Sequence, residues 1–282
     1  MIEVLSGGIN TTIQDLGRYG FRKYGVPVSG AMDQYSALLA NLLIGNPSEC
    51  ALLEFILQGP ILKFEKSAVI AICGALFSPT LNNKTIELNH PIQVNPGDTL
   101  TIGRCSTGMY GYLSISSGFR AEEKFGSMSY YLGITGRSKI NRNDQLSFNA
   151  KNNGPYNPSA TIKANTLSQT ESVISVMKGP EFDSLNAITK KNIFVSTLEI
   201  SHEISRMGYR LNTSLKLDAQ EIITAPVQPG TVQLTPSGNM IVLMRDAQTT
   251  GGYARILQLT EKGISNLVQK RIGESITFDL IY

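Results

Sequence analysis

Two stretches of this chain gather groups able to bind or polarise a small polar substrate. Gln14-Asp15-Leu16-Gly17-Arg18 places an amide, a carboxylate and a guanidinium within five positions. A guanidinium can grip a carboxylate or phosphate through two parallel hydrogen bonds. The same residues also suit a turn in which Asp15 caps and Arg18 pairs with it, since sequence-adjacent ion pairs are commonly structural. The second stretch follows the apolar run Met240-Ile241-Val242-Leu243-Met244 and reads Arg245-Asp246-Ala247-Gln248-Thr249-Thr250-Gly251-Gly252-Tyr253. A buried strand that ends in an amide, two hydroxyls and two glycines predicts a loop open to backbone contact, because glycine tolerates φ > 0 and close approach. Gln248, Thr249, Thr250, Gly251, Gly252 and Tyr253 are therefore candidate substrate contacts.

Further candidates lie on neighbouring motifs. Arg206, in Ser205-Arg206-Met207-Gly208-Tyr209-Arg210, precedes a glycine turn from which it can reach across a cleft. Asp33 and Asn41 stand eight positions apart, a spacing that puts both on one helix face, and Ser29 lies just before them. Helix capping accounts for Ser29 and Asp33 as well as substrate binding does. Other chemistries are disfavoured. There is no Gly-x-x-x-x-Gly-Lys-Ser/Thr phosphate loop, no Gly-x-Gly-x-x-Gly after a strand and no Gly-x-Ser-x-Gly elbow. His90 and His202 read as surface residues. Cys50, Cys73 and Cys105 have no metal spacing, so no metal site is expected, and Cys73 reads as a small buried hydrophobe.

The elements that must position these residues are mainly strands. Of 282 residues, 26 are glycine and 12 proline, which favours many turns, and 41% hydrophobic content supports a sizeable core. Strands are expected at Ile61–Phe64, Ala68–Cys73, Thr99–Ile102, Tyr112–Ile115 and Val173–Met177. Helices are expected from Ala31 to Leu43, capped by Ser29 or Gly30 and carrying an apolar series Met32, Tyr35, Leu38, Leu39, Leu42, Leu43, from Pro180 to Lys191, and from Ile264 to Val268. Lys151–Ser159 has no apolar period and reads as a linker, so the domain boundary is placed between residues 155 and 156. The two sides echo each other loosely. Pro91-Ile92, Thr99–Ile102 and Met109–Ser116 run parallel to Pro226-Val227, Thr231–Leu234 and Met240–Asp246. The net charge of +3 is scattered, which argues against nucleic acid, and no apolar run suits a membrane span. The start Met1-Ile2-Glu3-Val4 has no secretory character, and a cytoplasmic location is expected.

Four motifs in one order carry a resemblance: Gly8-Ile9-Asn10-Thr11-Thr12-Ile13-Gln14-Asp15-Leu16-Gly17-Arg18, then Gly25-Val26-Pro27-Val28-Ser29-Gly30-Ala31-Met32-Asp33 with Ala40-Asn41 and Gly45-Asn46, then Arg206-Met207-Gly208-Tyr209-Arg210-Leu211, then Thr249-Thr250-Gly251-Gly252-Tyr253. Together they resemble the biotin-dependent carboxyltransferase family that includes allophanate hydrolase subunit 2 and the C-type component of the prokaryotic 5-oxoprolinase. The resemblance implies a mainly β fold of two cyclophilin-like β-barrel domains with a few short helices, residues 1–155 and 156–282. It implies a heteromeric hydrolase, inactive as a single chain, that opens 5-oxo-L-proline to L-glutamate. ATP would be consumed in the complex, with a B-like (kinase-inhibitor-like) 5-oxoprolinase protein and an A-like 5-oxoprolinase protein as partners. Asp15, Arg18 and Arg206 would be catalytic, the arginines holding charge that develops on a phosphorylated lactam oxygen. The alternatives are carboxyl transfer from biotin to urea or another amide, or antagonism of the kinase-inhibitor-like partner. No Ala-Met-Lys-Met biotin attachment site is present, so biotin would be supplied by a partner. The chain departs from the family pattern at Ser205, where an aspartate usually precedes the arginine and would pair with it. It departs also at Ala254, where a proline is common, and at Tyr130, where a threonine is.

Overall fold

A computed structural model describes residues 1–148, 171–213, 217 and 221–281. The expected linker and the 155/156 boundary lie outside the described residues. The chain forms two compact units, Met1–Arg18 with Ser29–Leu167, and Tyr19–Val28 with Ser168–Tyr282.

The first unit contains β1 (Ile2–Ser6), β2 (Thr11–Gln14), α1 (Gln34–Leu43), β3 (Leu52–Ile56), β4 (Ile61–Phe64), β5 (Ala68–Gly74), β6 (Thr80–Leu81), β7 (Lys84–Thr85), β8 (Ile92–Val94), β9 (Thr99–Thr101), β10 (Tyr110–Ile115), β11 (Phe119–Arg120) and β12 (Gln145–Phe148). They build a seven-stranded sheet, β11-β12-β1-β4-β9-β6-β7, and a five-stranded sheet, β2-β3-β10-β5-β8. Both contribute to one apolar core, with Val4, Leu62 and Phe64 from the first and Phe55, Ile72 and Leu113 from the second. Every residue of β10 is buried, because the core lies on one face and α1 packs on the other, so the strand reads as a continuous run.

The second unit contains β13 (Val173–Lys178), α2 (Ala187–Val195), β14 (Leu198–Ile204), β15 (Gly208–Asn212), β16 (Ala225–Pro226), β17 (Thr231–Leu234), β18 (Met240–Leu243), β19 (Thr250–Gly251), β20 (Ala254–Leu259), α3 (Glu261–Val268) and β21 (Ser275–Leu280). Seven of these strands close a barrel in the order β13-β20-β17-β18-β15-β14-β21, the last pairing back to the first. Fully buried Val232, Leu234, Met240, Val242, Tyr209 and Leu211 alternate along its strands and fill the interior. The expected mainly β fold is present, with three α-helices among the described residues and this closed barrel.

Several local expectations change. α1 starts at Gln34, and its cap is Asp33 rather than Ser29 or Gly30: Asp33 is extended, and its carboxylate accepts from Ser36 N at 3.0 Å. The apolar spacing of α1 does not mark the buried side. Ala37, Ala40 and Leu43 face the protein, while Tyr35, Leu38 and Leu42 are exposed, because small residues let the helix sit close on β5 and β10. The Pro180 segment forms only a 3-10 turn at Phe182–Ser184, and α2 begins afterwards, capped by Asn186 accepting from Thr189 N at 2.7 Å. α3 starts three residues earlier than expected, at Glu261, where Thr260 caps it by accepting from Gly263 N. The echo between the halves is not one of pairing. β17 and β18 form an antiparallel pair, whereas β9 and β10 belong to different sheets.

Candidate functional site

In the first unit, Asp15 is a hub. Its Oδ1 accepts from Gly17 N at 2.7 Å, Ser127 Oγ at 2.7 Å and Ser129 Oγ at 2.6 Å, and its Oδ2 accepts from Met128 N at 2.6 Å. Arg18 is fully buried and donates to the carbonyls of Ser129 and Lys124. Gln14, also fully buried, donates to Thr12 Oγ1 at 3.0 Å and Tyr130 O at 3.4 Å. The predicted carboxylate and guanidinium therefore hold the 124–130 segment to the end of β2. Asp15 also borders a cavity of about 330 Å³ with Gly17, Cys50, Phe119, Arg120 and Met128. The second motif joins the first through Gly30, whose φ is +85° and whose missing Cβ would stand 2.7 Å from Leu16 C. Ala31 N then donates to Asp15 O at 2.9 Å.

Asp33 and Asn41 are brought near one sheet face but hold structure. Asp33 N donates to Tyr112 Oη at 2.7 Å, and Tyr112 Oη in turn donates to Glu54 Oε2 at 2.9 Å, which also accepts from Met32 N at 2.7 Å. Burial, reinforced by the charge of Glu54, pushes the Tyr112 phenol well above its ordinary range. Asn41 donates to Cys50 O at 2.8 Å and accepts from Ser114 Oγ and Asn46 Nδ2. Cys73, opposite Tyr112 on β5, is a free and fully buried residue, as the sequence suggests, and burial and the charge of Asp33 push its thiol up.

In the second unit, the expectation that Arg206 lacks an anionic partner fails. Asp246 takes the place of the absent aspartate, with Arg206 Nε to Oδ2 at 2.7 Å and Nη2 to Oδ1 at 3.2 Å. Ser205 Oγ instead accepts from Met207 N at 3.1 Å and shapes the turn. The Thr249–Gly252 backbone is not open as expected. Thr249 O accepts from Val227 N and Gly252 O from Ile222 N, so the loop pairs as β19 with β16. Neither Gly251 nor Gly252 has positive φ. Gly251 lies close to one side chain: a Cβ there would stand 2.5 Å from Gln233 Nε2, the far end of a flexible side chain, and at ordinary distance from everything else. Gly252 has only ordinary clearance, Ile222 O lying 3.5 Å from its would-be Cβ.

Beside β19 lies a cavity of about 300 Å³ on the outer face of the barrel, lined by Glu203, Met207, Arg210, Gln233, Gln248 and Tyr253, among others. Arg210 and Glu203 form an ion pair at its edge. Gln248 and Tyr253 thus line a cavity, whereas Thr250 faces solvent.

A family model for the carboxyltransferase domain, subdomain A and B, matches residues 24–280. The chain belongs to this family. Members and neighbours of several sizes resemble this carboxyltransferase-family chain. The C-type 5-oxoprolinase protein of Haemophilus influenzae is 32% identical, covering 100% of this chain and 91% of that protein. The urea amidolyase of Lachancea kluyveri is 30% identical over 98% of this chain and 17% of its own length. Among solved structures, TTHA0988 matches with a TM-score of 0.89 at 28% identity, covering 99% of this chain, which spans 55% of that one. The Kluyveromyces lactis urea amidolyase matches with a TM-score of 0.87 at 29% identity, over 100% of this chain and 19% of that one.

Three residues of this carboxyltransferase fold went unread in the sequence. Glu54 is a lone carboxylate inside Leu52-Leu53-Glu54-Phe55-Ile56, and an ionisable group in a buried run signals a partner, here Tyr112. Gln233 lies likewise inside the buried strand β17. Asp246 was visible, but its partner stands 40 residues away and left no local signal. Among the described residues, no helix is long and apolar enough to cross a membrane.

Proposed function

We propose that this chain is the C-type component of a cytoplasmic, ATP-dependent 5-oxoprolinase that opens 5-oxo-L-proline to L-glutamate. It acts with A-like and B-like partner proteins and carries no biotin of its own. The observation that carries this reading is likeness along the whole chain to two bacterial 5-oxoprolinase proteins of the C type that are little longer than it. A lactam carbonyl is a poor electrophile, and phosphoryl transfer to its oxygen would activate it. Arg18 and Arg206 donate to protein carbonyls and to Asp246. On this reading they hold loop shape, and charge on the phosphoryl group is met by other groups of the assembly. Asp15, Gln14, Asp33 and Asn41 brace the first unit, while Gln248 and Tyr253 face substrate, with Thr249, Thr250, Gly251 and Gly252 shaping the adjoining loop.

A second reading, carboxyl transfer from a partner's biotin to an amide nitrogen, is favoured by the likeness to urea amidolyases. Co-purification from the native host separates the two. The first predicts ATP-dependent glutamate release from 5-oxo-L-proline by the complex, none by this chain alone, and no inhibition by avidin. Avidin-sensitive, bicarbonate-dependent carboxylation of urea without glutamate release would replace it with the second.

A further inference from the structure

We infer that the cavity on the outer face of the barrel binds a planar carboxamide, a lactam or ureide, with the Gln233 side chain donating to its carbonyl oxygen. Gln233 stands on β17 between Val232 and Leu234, which fill the barrel interior, so its side chain lies on the outer face. Its neighbours in register are Ile241 on β18 and Arg255 on β20. It is only 2% exposed, and its Nε2 has no hydrogen-bond acceptor among the described residues.

A buried, unpaired amide N–H is costly, and leucine or methionine would fill the same space without that cost. The strand above it also makes room: Gly251, with no Cβ, leaves the amide 2.5 Å from where one would stand. The cavity it lines has the chemistry of a neutral, flat group. Gln248 supplies a second amide, able to accept a ligand N–H. Met207, Ile241 and Tyr253 provide apolar walls, and the charge of Arg210 is matched by Glu203. An unmet donor calls for an acceptor, and a wall with balanced charge favours a carbonyl over a phosphate at that point. The site deepens the proposed function and rests on it only for which carboxamide is the natural ligand.

The test uses the full chain labelled with ¹⁵N-glutamine. 2-Pyrrolidinone, 5-oxo-L-proline and urea are titrated against it, with pyrrolidine as the ring lacking a carbonyl. Ligands this small bind in the millimolar range at best, so titrations extend to about 50 mM. The carbonyl probes are expected to shift the Gln233 side-chain NH₂ resonance downfield and saturably, and pyrrolidine is not. Gln233→Met should weaken binding about tenfold. Gly251→Ala pushes only the mobile end of Gln233, so it should weaken binding similarly with a melting temperature within about 2 °C of wild type. A Gln233 resonance unmoved by every carbonyl probe, or equal binding by both variants and wild type, overturns the site. Failure of the site and of the function are separable in the co-purified complex. 5-Oxoproline opening with an unchanged KM in Gln233→Met leaves the function standing without the site. Carbonyl probes held by Gln233 in a complex that opens no 5-oxoproline leave the site standing without the function.

Discussion

Arg206 and Asp246 form a two-pronged ion pair, and the same two residues are joined through the backbone, Asp246 N donating to Arg206 O at 2.9 Å. Met244 N donates to Met207 O at 3.0 Å beside them. The turn after β14 is thereby stitched to the end of β18, where the segment leading to β19 departs. The charge on Arg206 thus sets the take-off of the loop that covers Gln233.

Breaking this pair from either side leaves a largely buried charge without its partner. Arg206→Ala and Asp246→Ala are each expected to cost about 2–3 kcal/mol, less than a fully buried pair because both groups keep some solvent contact. The double variant should cost less than the sum, with a coupling of about 1–2 kcal/mol in urea melts. Additive losses would mean that the ion pair contributes nothing.

Asp15→Asn turns one of two acceptor oxygens into a donor that faces existing donors, among them Met128 N and the hydroxyls of Ser127 and Ser129. A loss of about 2–4 kcal/mol is expected, with faster amide exchange at Met128. Unchanged exchange there would show that the 127–129 segment is held by other contacts.

Gly30→Ala should be among the most damaging single changes in the first unit. The new Cβ meets backbone, Leu16 C at 2.7 Å and Gly17 N at 2.8 Å, and φ is +85°. Strain and clash together should cost more than about 3 kcal/mol and lower soluble yield. Gly20→Ala, with open space around its Cβ, keeps the positive φ alone and serves as the control.

Acid should weaken the second unit through Glu181. Hydrogen bonds from the Arg255 guanidinium hold its carboxyl below the usual range. A carboxyl depressed in the folded state contributes stability above its unfolded pKa, near ~4.3, and that contribution is lost as pH falls through the folded value. Glu181→Gln should therefore be about 1–2 kcal/mol less stable than wild type at pH 7, and the gap should close as pH falls through the depressed folded value. A gap independent of pH would show that packing, not charge, is lost.

Thr250 is exposed on β19. Thr250→Val should change stability by less than about 0.5 kcal/mol. In the assembled enzyme it is expected to lower activity severalfold, through a lost contact between this exposed hydroxyl and a partner protein. Full activity with an unchanged melting temperature would remove Thr250 from the site.

Much of this was legible in the residues. β4, β5 and β10 are β-rich apolar runs between turn signals, and capping, the alternative weighed for Asp15 and Asp33, describes the hydrogen bonds each of them makes. What a period of 3.6 cannot say is which side of α1 is covered. Alanine and asparagine face inward there because closeness and hydrogen bonds to Cys50 and Ser114 outweigh side-chain area. Nor can sequence order say that β9 and β10 part company into two sheets. Gly251 read as a glycine for conformation, yet its φ is not positive and what it stands against is the end of the Gln233 side chain, a tertiary neighbour with no local mark.

The barrel is shut by its last strand. β21 lies parallel to β13 through Val173↔Thr277 and antiparallel to β14 through Leu198↔Ile276. Until residues 275–280 are made, β13 and β14 lack the strand that lies between them in the closed barrel, and each presents an edge whose backbone groups await it. During synthesis the second unit is an open sheet exposed to wrong pairings, and every nascent copy waits for one six-residue segment.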